Sequence, residues 1–121
     1  MNWITILIFA TMLVAVILLR RSGLISAADA VDYLQKGAMV VDVRTAGEFA
    51  AGHLPNAINL PLNEIESSLP RRVKDKNQVL LLHCQAGGRC AEARKKLIAL
   101  GYMNVFNLGS YSRAAQIVEV K

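Results

Sequence analysis

The run LLLHCQAGGRCAEARKKL, residues 80–97, sets a cysteine between two kinds of chain. Residues 79–83, VLLLH, form a continuous apolar run, as in a strand buried on both faces. Cys84 follows, then Gln85, Ala86, Gly87, Gly88 and Arg89. From Cys90 the spacing turns helical, with Cys90, Ala93, Leu97 and Leu100 on one side and Gly101 as the stop. Gly87 and Gly88 open backbone conformations closed to other residues. Successive N–H groups of such a loop can point inward as an anion nest, and the next helix adds its N-terminal dipole. A thiol held there sits in positive potential, which lowers its pKa and raises its thiolate fraction. Arg89 adds charge nearby, or ties the loop to an acid. The arrangement makes a nucleophile and a pocket for an anionic substrate at once. The rival reading of Cys84, a small buried hydrophobe, suits a loop with two glycines and an arginine poorly.

The chain has 121 residues, enough for one domain with a core. Its elements can be read from caps and periodicity. Ser26 with Asp29 starts a helix that Gly37 ends, and Thr45 with Glu48 starts a second that Gly52 ends. Asn63 with Glu66 opens a brief helix before Pro70. Strands are expected at 38–43, 57–60, 79–83 and 104–108, and a last short helix fits after Gly109. Residues 21–25 read as a short linker. Strands alternating with helices predict an α/β domain with a mainly parallel sheet. Ligands bind outside the carboxyl ends of such strands. Two places qualify: Asp42 and Arg44 after the first strand, and Cys84 after the third.

Residues 3–19, WITILIFATMLVAVILL, hold no charge. As a helix they would span about 25 Å, at the short end for crossing a bilayer. No basic residue precedes the run and Arg20-Arg21 follow it, unlike a cleaved signal peptide. The expectation is a transmembrane anchor over 1–22 and a domain over 23–121 in the cytoplasm, by the positive-inside rule. All 14 Lys and Arg lie after residue 19, against nine acids, for a net charge of +5. The clusters RRVKDK (71–76) and RKK (94–96) read as solvated faces, and no motif supports nucleic-acid binding. Cys84 and Cys90, six apart in a cytoplasmic domain, do not suggest a structural disulfide. No metal-ligand spacing is present, and no cofactor is called for.

Two motifs together resemble the single-domain rhodaneses, the thiosulfate sulfurtransferase family. One is CQAGGR (84–89), a C-x-x-G-x-R loop. The other is DVRTAGEFAAGHLPNAINLPL (42–62), where Asp42-Val43-Arg44, Glu48-Phe49, Gly52-His53-Leu54-Pro55 and Ala57-Ile58-Asn59-Leu60-Pro61 match the family pattern. The resemblance implies a five-stranded, mostly parallel sheet flanked by helices. It also implies Cys84 as the sulfur-accepting nucleophile, with residues 84–89 as its loop. A Cys84 persulfide would take a sulfane sulfur from thiosulfate or another small anionic donor and give it to a thiol or protein acceptor. Phosphatases that resemble rhodaneses in fold carry a loop one residue longer, sized for phosphate. Gln85 stands where many members carry Arg or Lys, which weakens the field for thiosulfate and admits an organic persulfide or protein donor.

Asp42 and Arg44 are expected to support the loop through hydrogen bonds and ion pairs, the rival being a structural pair of Arg44 with Glu48. His53 reads as part of a structural turn, and His83 as packing, pointing away from Cys84 by alternation. Cys90 suits a first helical turn that needs a small residue; the other reading is a resolving thiol that attacks a Cys84 persulfide. The alternative function is a membrane-tethered sulfur carrier or redox sensor with little turnover of its own.

Overall fold

The structure is a computed structural model. It describes residues 2–86 and 88–120, without the side chains of residues 19–21 and 120. Four strands, β1 (Met39–Asp42), β2 (Ile58–Asn59), β3 (Leu80–His83) and β4 (Val105–Gly109), form one sheet in the order β2-β1-β3-β4. Every pairing is parallel. Register sets Asp42 beside both Asn59 and His83, and His83 beside Gly109. The carboxyl edge of the sheet is therefore a row: Asn59, Asp42, His83, Gly109. A register shift between Leu82 and His83 brings Gly109 rather than Leu108 into that row.

Successive strand residues face opposite ways, and the core divides accordingly. Val40, Leu81 and Leu108 point to the face covered by α2 (Ala27–Gln35) and α6 (Tyr111–Val120), meeting Ala30, Leu34, Ala114 and Ile117. Val41, Leu80 and Leu82 point to the face covered by α4 (Ile65–Arg72) and α5 (Gly88–Ala99), meeting Ile65, Leu69, Ala93 and Leu97. The capping residues act as the sequence suggests. The Ser26 hydroxyl accepts the Asp29 N–H at 3.2 Å. Thr45 and Glu48 close a full capping box at the start of α3 (Ala46–Ala51).

Four expectations are corrected. The sheet has four strands, not five. Where a fifth would lie, the supposed linker contributes one parallel bridge, Leu24 to Asn107. The Asn107 N–H reaches the Gly23 carbonyl at 2.9 Å, and the Ile25 N–H reaches the Asn107 carbonyl at 3.0 Å. Gly23, at φ +72°, and the cap at Ser26 leave too little extended chain between them for a strand. Secondly, α4 does not stop before Pro70 but runs to Arg72, preceded by a 3-10 turn at 62–64 without a cap from Asn63. Pro70 removes only the bond to the Glu66 carbonyl, and the Val73 N–H still closes on the Leu69 carbonyl at 2.8 Å. Thirdly, α5 begins at Gly88, two residues ahead of Cys90.

The fourth concerns the expected transmembrane anchor. The apolar run folds as α1 (Trp3–Ser22). Its large side chains are exposed all round; Trp3, Phe9 and Leu13 are 69%, 66% and 61% accessible. Among the described residues, however, no helix is long and apolar enough to cross a membrane. The uncharged stretch 3–19 would make about 25 Å of helix, short of a hydrocarbon core of about 30 Å.

Candidate active site

Cys84 is the first residue beyond β3. Its N–H bonds the Gly109 carbonyl at 3.2 Å, so the end of β4 holds its backbone in place. The side chain is fully buried, whereas Gln85 and Ala86 are exposed. The thiol therefore sits at the floor of the loop rather than on its rim. Gly87, expected in the substrate loop, lies outside the described residues. Gly88 opens α5 in helical conformation, with open space where a Cβ would stand. It does not supply the special backbone geometry expected of it. Arg89 and Cys90 follow in the same first turn, so the helix N-terminus lies closer to Cys84 than the sequence indicated.

Two arginine–carboxylate pairs hold this loop. Arg89 grips Glu48 with both terminal nitrogens, Nη1 to Oε1 at 2.6 Å and Nη2 to Oε2 at 3.0 Å. The Arg89 hydrogen bond, with donation from Thr45, pulls the Glu48 carboxyl down to about 2. Arg89 thus ties the loop to α3, the second of the two roles considered for it. The other pair is buried. Arg44 places Nη2 at 2.7 Å from Asp42 Oδ2 and Nε at 3.0 Å from both carboxylate oxygens. The rival pairing of Arg44 with Glu48 does not form. Arg44 also donates through Nη1 to Gln85 Oε1 at 3.2 Å, and through Nη2 to the Gly52 carbonyl at 2.8 Å. Its guanidinium carbon lies 4.6 Å from the centre of the Tyr111 ring, and the Tyr111 N–H reaches the Gln85 carbonyl at 3.3 Å.

Of the expected site residues, Asp42, Arg44, Gln85, Arg89 and Cys90 thus connect with the loop around Cys84. Glu48 and Tyr111 were not among them. Glu48 had a local explanation as a helix cap and performs both tasks. Tyr111 carries no sequence signal, because β4 and α6 bring it to the loop from 27 residues beyond Cys84. His53 is exposed, with Nδ1 3.0 Å from the Phe49 carbonyl and its ring stacked on Phe49, a turn contact rather than a reactive one. Cys90 is fully buried, and its Sγ lies 2.9 Å from Cys84 Sγ. Its thiol is pushed well above the ordinary range, first by the hydrogen bond with Cys84 and then by burial. Among the described residues, no group of three or more His, Cys, Asp or Glu is placed to hold a metal.

His83 is fully buried without a hydrogen-bond partner on either ring nitrogen. Nε2 is 3.7 Å from Asp42 Oδ2, beyond hydrogen-bonding reach, and the ring meets Tyr111 edge-on. Burial lowers its pKa; Asp42 opposes the shift and Arg44 adds to it. The ring is therefore held neutral beneath the Asp42–Arg44 pair.

A cysteine thus lies at the carboxyl edge of a parallel sheet, next to a helix N-terminus, in an α/β domain. Comparison with known proteins makes the class specific. The rhodanese-like domain matches residues 26–115, and the chain belongs to the rhodanese family. It is 35% identical over 69 residues to the thiosulfate sulfurtransferase PspE of Escherichia coli, covering 57% of this chain and 66% of that one. It is 36% identical over 70 residues to a sulfurtransferase of Allochromatium vinosum, covering 58% and 64%. Matches to tRNA uridine(34) hydroxylases, such as that of Hamiltonella defensa at 35% identity, span only 21% of those longer proteins. Among solved structures, the human single-domain sulfurtransferase TSTD1 superposes with a TM-score of 0.66 at 28% identity, over 78% of this chain and 96% of that one. A rhodanese from E. coli gives 0.61 at 31% identity, over 64% and 91%.

Two predictions follow from the site geometry. Arg89→Ala and Glu48→Gln each release the loop from α3, and each is expected to slow any sulfur transfer through this loop roughly tenfold. Because the two side chains make one contact, the double variant should be little worse than either single one. With Glu48 at about 2, the tie is complete above about pH 4.5 and is lost as the pH falls towards 2. His83 has the same sign for a different reason. Its folded pKa is depressed, so the unfolded chain takes up the proton first, below about pH 6.5. The stability from the neutral ring is complete above that pH and is lost as the pH falls through the folded pKa. Urea titrations at about pH 7.5 and about pH 5.5 should show a drop in wild type that His83→Leu reduces.

Proposed function

We propose that the protein is a sulfurtransferase that carries a sulfane sulfur on Cys84. The observation that carries this reading is the place of Cys84: fully buried at the end of β3, facing Cys90 in the first turn of α5, beneath a loop held by Asp42–Arg44 and Glu48–Arg89. The Cys84 thiolate attacks the outer sulfur of thiosulfate or a related donor. The new bond joins Cys84 Sγ to that sulfur, the donor's S–S bond breaks, and sulfite (or, from an organic persulfide, a thiolate) leaves with the bonding pair. The charge then rests on the terminal sulfur of the Cys84 persulfide, where backbone donors of the loop and the N-terminus of α5 can stabilise it. A nucleophilic acceptor, cyanide in an assay or a thiol or protein in a cell, takes that sulfur and restores the thiolate. Phosphate-ester hydrolysis fits less well, because both terminal nitrogens of Arg89 are already engaged by Glu48. Thiosulfate is expected to add one sulfur atom to the peptide bearing Cys84, and cyanide to remove it as thiocyanate. Cys84→Ser should do neither while keeping its thermal transition. Equal transfer by that variant, read by mass spectrometry and thiocyanate assay, would show that another group is the nucleophile. Many turnovers rather than a single loading distinguish a transferase from a sulfur carrier.

The proposal extends to location. We infer that α1 holds the domain at a membrane, with the domain on the cytoplasmic side. In its support, α1 shows no apolar-in, polar-out division, since Trp3, Phe9 and Leu13 are all well exposed and no charge precedes Arg20. A helix apolar on every side has no stable place in water, and the basic pair after it favours the cytoplasmic face. The full-length chain should sediment with membranes. Leu7→Arg together with Leu13→Arg should shift it to the supernatant. A wild-type chain found in the supernatant would count against the anchor.

A further inference from the structure

Cys90 is a second sulfur nucleophile in direct contact with the first, and the transfer scheme above gives it no task. The two sulfur atoms are 2.9 Å apart, both fully buried. About 0.9 Å of approach separates them from an S–S bond of about 2.05 Å. Both belong to the apolar cluster that includes Val41, Leu82, Ala93 and Leu97. Cys90 Sγ also donates to the Gly109 carbonyl at 3.6 Å. Either sulfur can donate the hydrogen bond between them, so a proton is at hand for a leaving group.

We propose that Cys90 discharges the Cys84 persulfide inside the domain, releasing hydrosulfide and leaving a Cys84–Cys90 disulfide. The inference rests on Cys84 loading as proposed above. Cys90 first gives its proton to the terminal sulfur of the persulfide anion, and the thiolate so formed attacks Cys84 Sγ, the inner sulfur. The bond from Cys84 to the terminal sulfur breaks, and that sulfur, carrying the proton, leaves with the pair, so a persulfide anion and a thiol become a disulfide and one HS⁻. The two thiol sulfurs give up the two electrons that reduce the sulfane sulfur, and no outside oxidant is involved. A small dithiol reductant then returns both cysteines to thiols by exchange. Proximity favours this route, because an attacker held in contact has an effective concentration far above that of a free thiol. The protein becomes a reducer of sulfane sulfur, with a dithiol supplying the electrons, as well as a donor of it.

The test uses the full-length, reduced protein with one equivalent of thiosulfate or of a low-molecular-weight organic persulfide, and no acceptor. Wild type should release close to one sulfide per chain and end lighter by two hydrogens. Trypsin cuts after Arg89, so peptides 77–89 and 90–94 should appear joined, and separate on treatment with dithiothreitol. Cys90→Ser and Cys90→Ala should instead keep the added sulfur on Cys84, release sulfide at least about a hundredfold more slowly, and still yield thiocyanate with cyanide. Two variants of different polarity guard against a folding defect in one. A wild-type chain that keeps the extra sulfur, with Cys90 still open to alkylation after unfolding and no sulfide, overturns the proposal while the transfer reading stands. If neither wild type nor the Cys90 variants gain or release sulfur from either donor, the transfer reading fails and this proposal fails with it.

Discussion

Asp42 holds a carboxylate with no exposed surface at the carboxyl edge of β1, a position tolerable only when its charge is matched. Arg44, two residues on, matches it through Nε and Nη2 and through its own backbone N–H at 2.9 Å. Removing one partner of such a buried pair costs about 3–5 kcal/mol, since the other is left uncompensated. Asn59 Nδ2 adds bonds at 3.0 Å to the carbonyls of Asp42 and Arg44, fixing β2 to the same turn. The remaining donors of Arg44 are what make the pair matter to the site. One reaches Gln85 and another the Gly52 carbonyl, so the end of β1, the end of α3 and the loop after β3 share one guanidinium. A neutral residue at either position would leave the loop without its inner support.

The second tie is of a different kind. Glu48 and Arg89 are about a third exposed, and pairs in that setting contribute little to overall stability. Their value is geometric, since a bidentate guanidinium–carboxylate contact fixes orientation as well as distance. Both ties originate in one short segment. Asp42, Arg44, Thr45 and Glu48 lie within seven residues, and together they frame a cysteine some forty residues later in the chain. That concentration explains why two separated motifs, 42–62 and 84–89, read as one site.

Local features were legible in the sequence because their causes are local. Ser26 and Thr45 cap helices as their side chains dictate, and the apolar run before Cys84 forms a central strand. Features set by distant partners were not. Glu48 was recognisable as a cap but not as the partner of Arg89, because that contact joins residues 41 positions apart. Tyr111 meets Arg44 only after β4 and α6 have packed. The five-strand expectation failed at Leu24, where the left-handed Gly23 and the Ser26 cap leave room for a single bridge. The expectation for Gly88 failed because α5 starts two residues earlier than its apolar spacing suggests. An exposed helix N-terminus has no apolar periodicity to announce it, so its start is invisible to pattern reading.

The charge balance of the site bears on the sulfur donor. Arg44 faces Asp42 and Arg89 faces Glu48, so each of these two cations is matched by a carboxylate. Gln85 adds no charge and presents its carbonyl oxygen to Arg44. What remains to attract an anion is the set of backbone N–H groups and the N-terminus of α5, equivalent to roughly half a positive charge. Such a field suits the single charge of a persulfide anion better than the double charge of thiosulfate. It also suits a small, polarisable sulfur buried among apolar side chains better than a strongly hydrated phosphate.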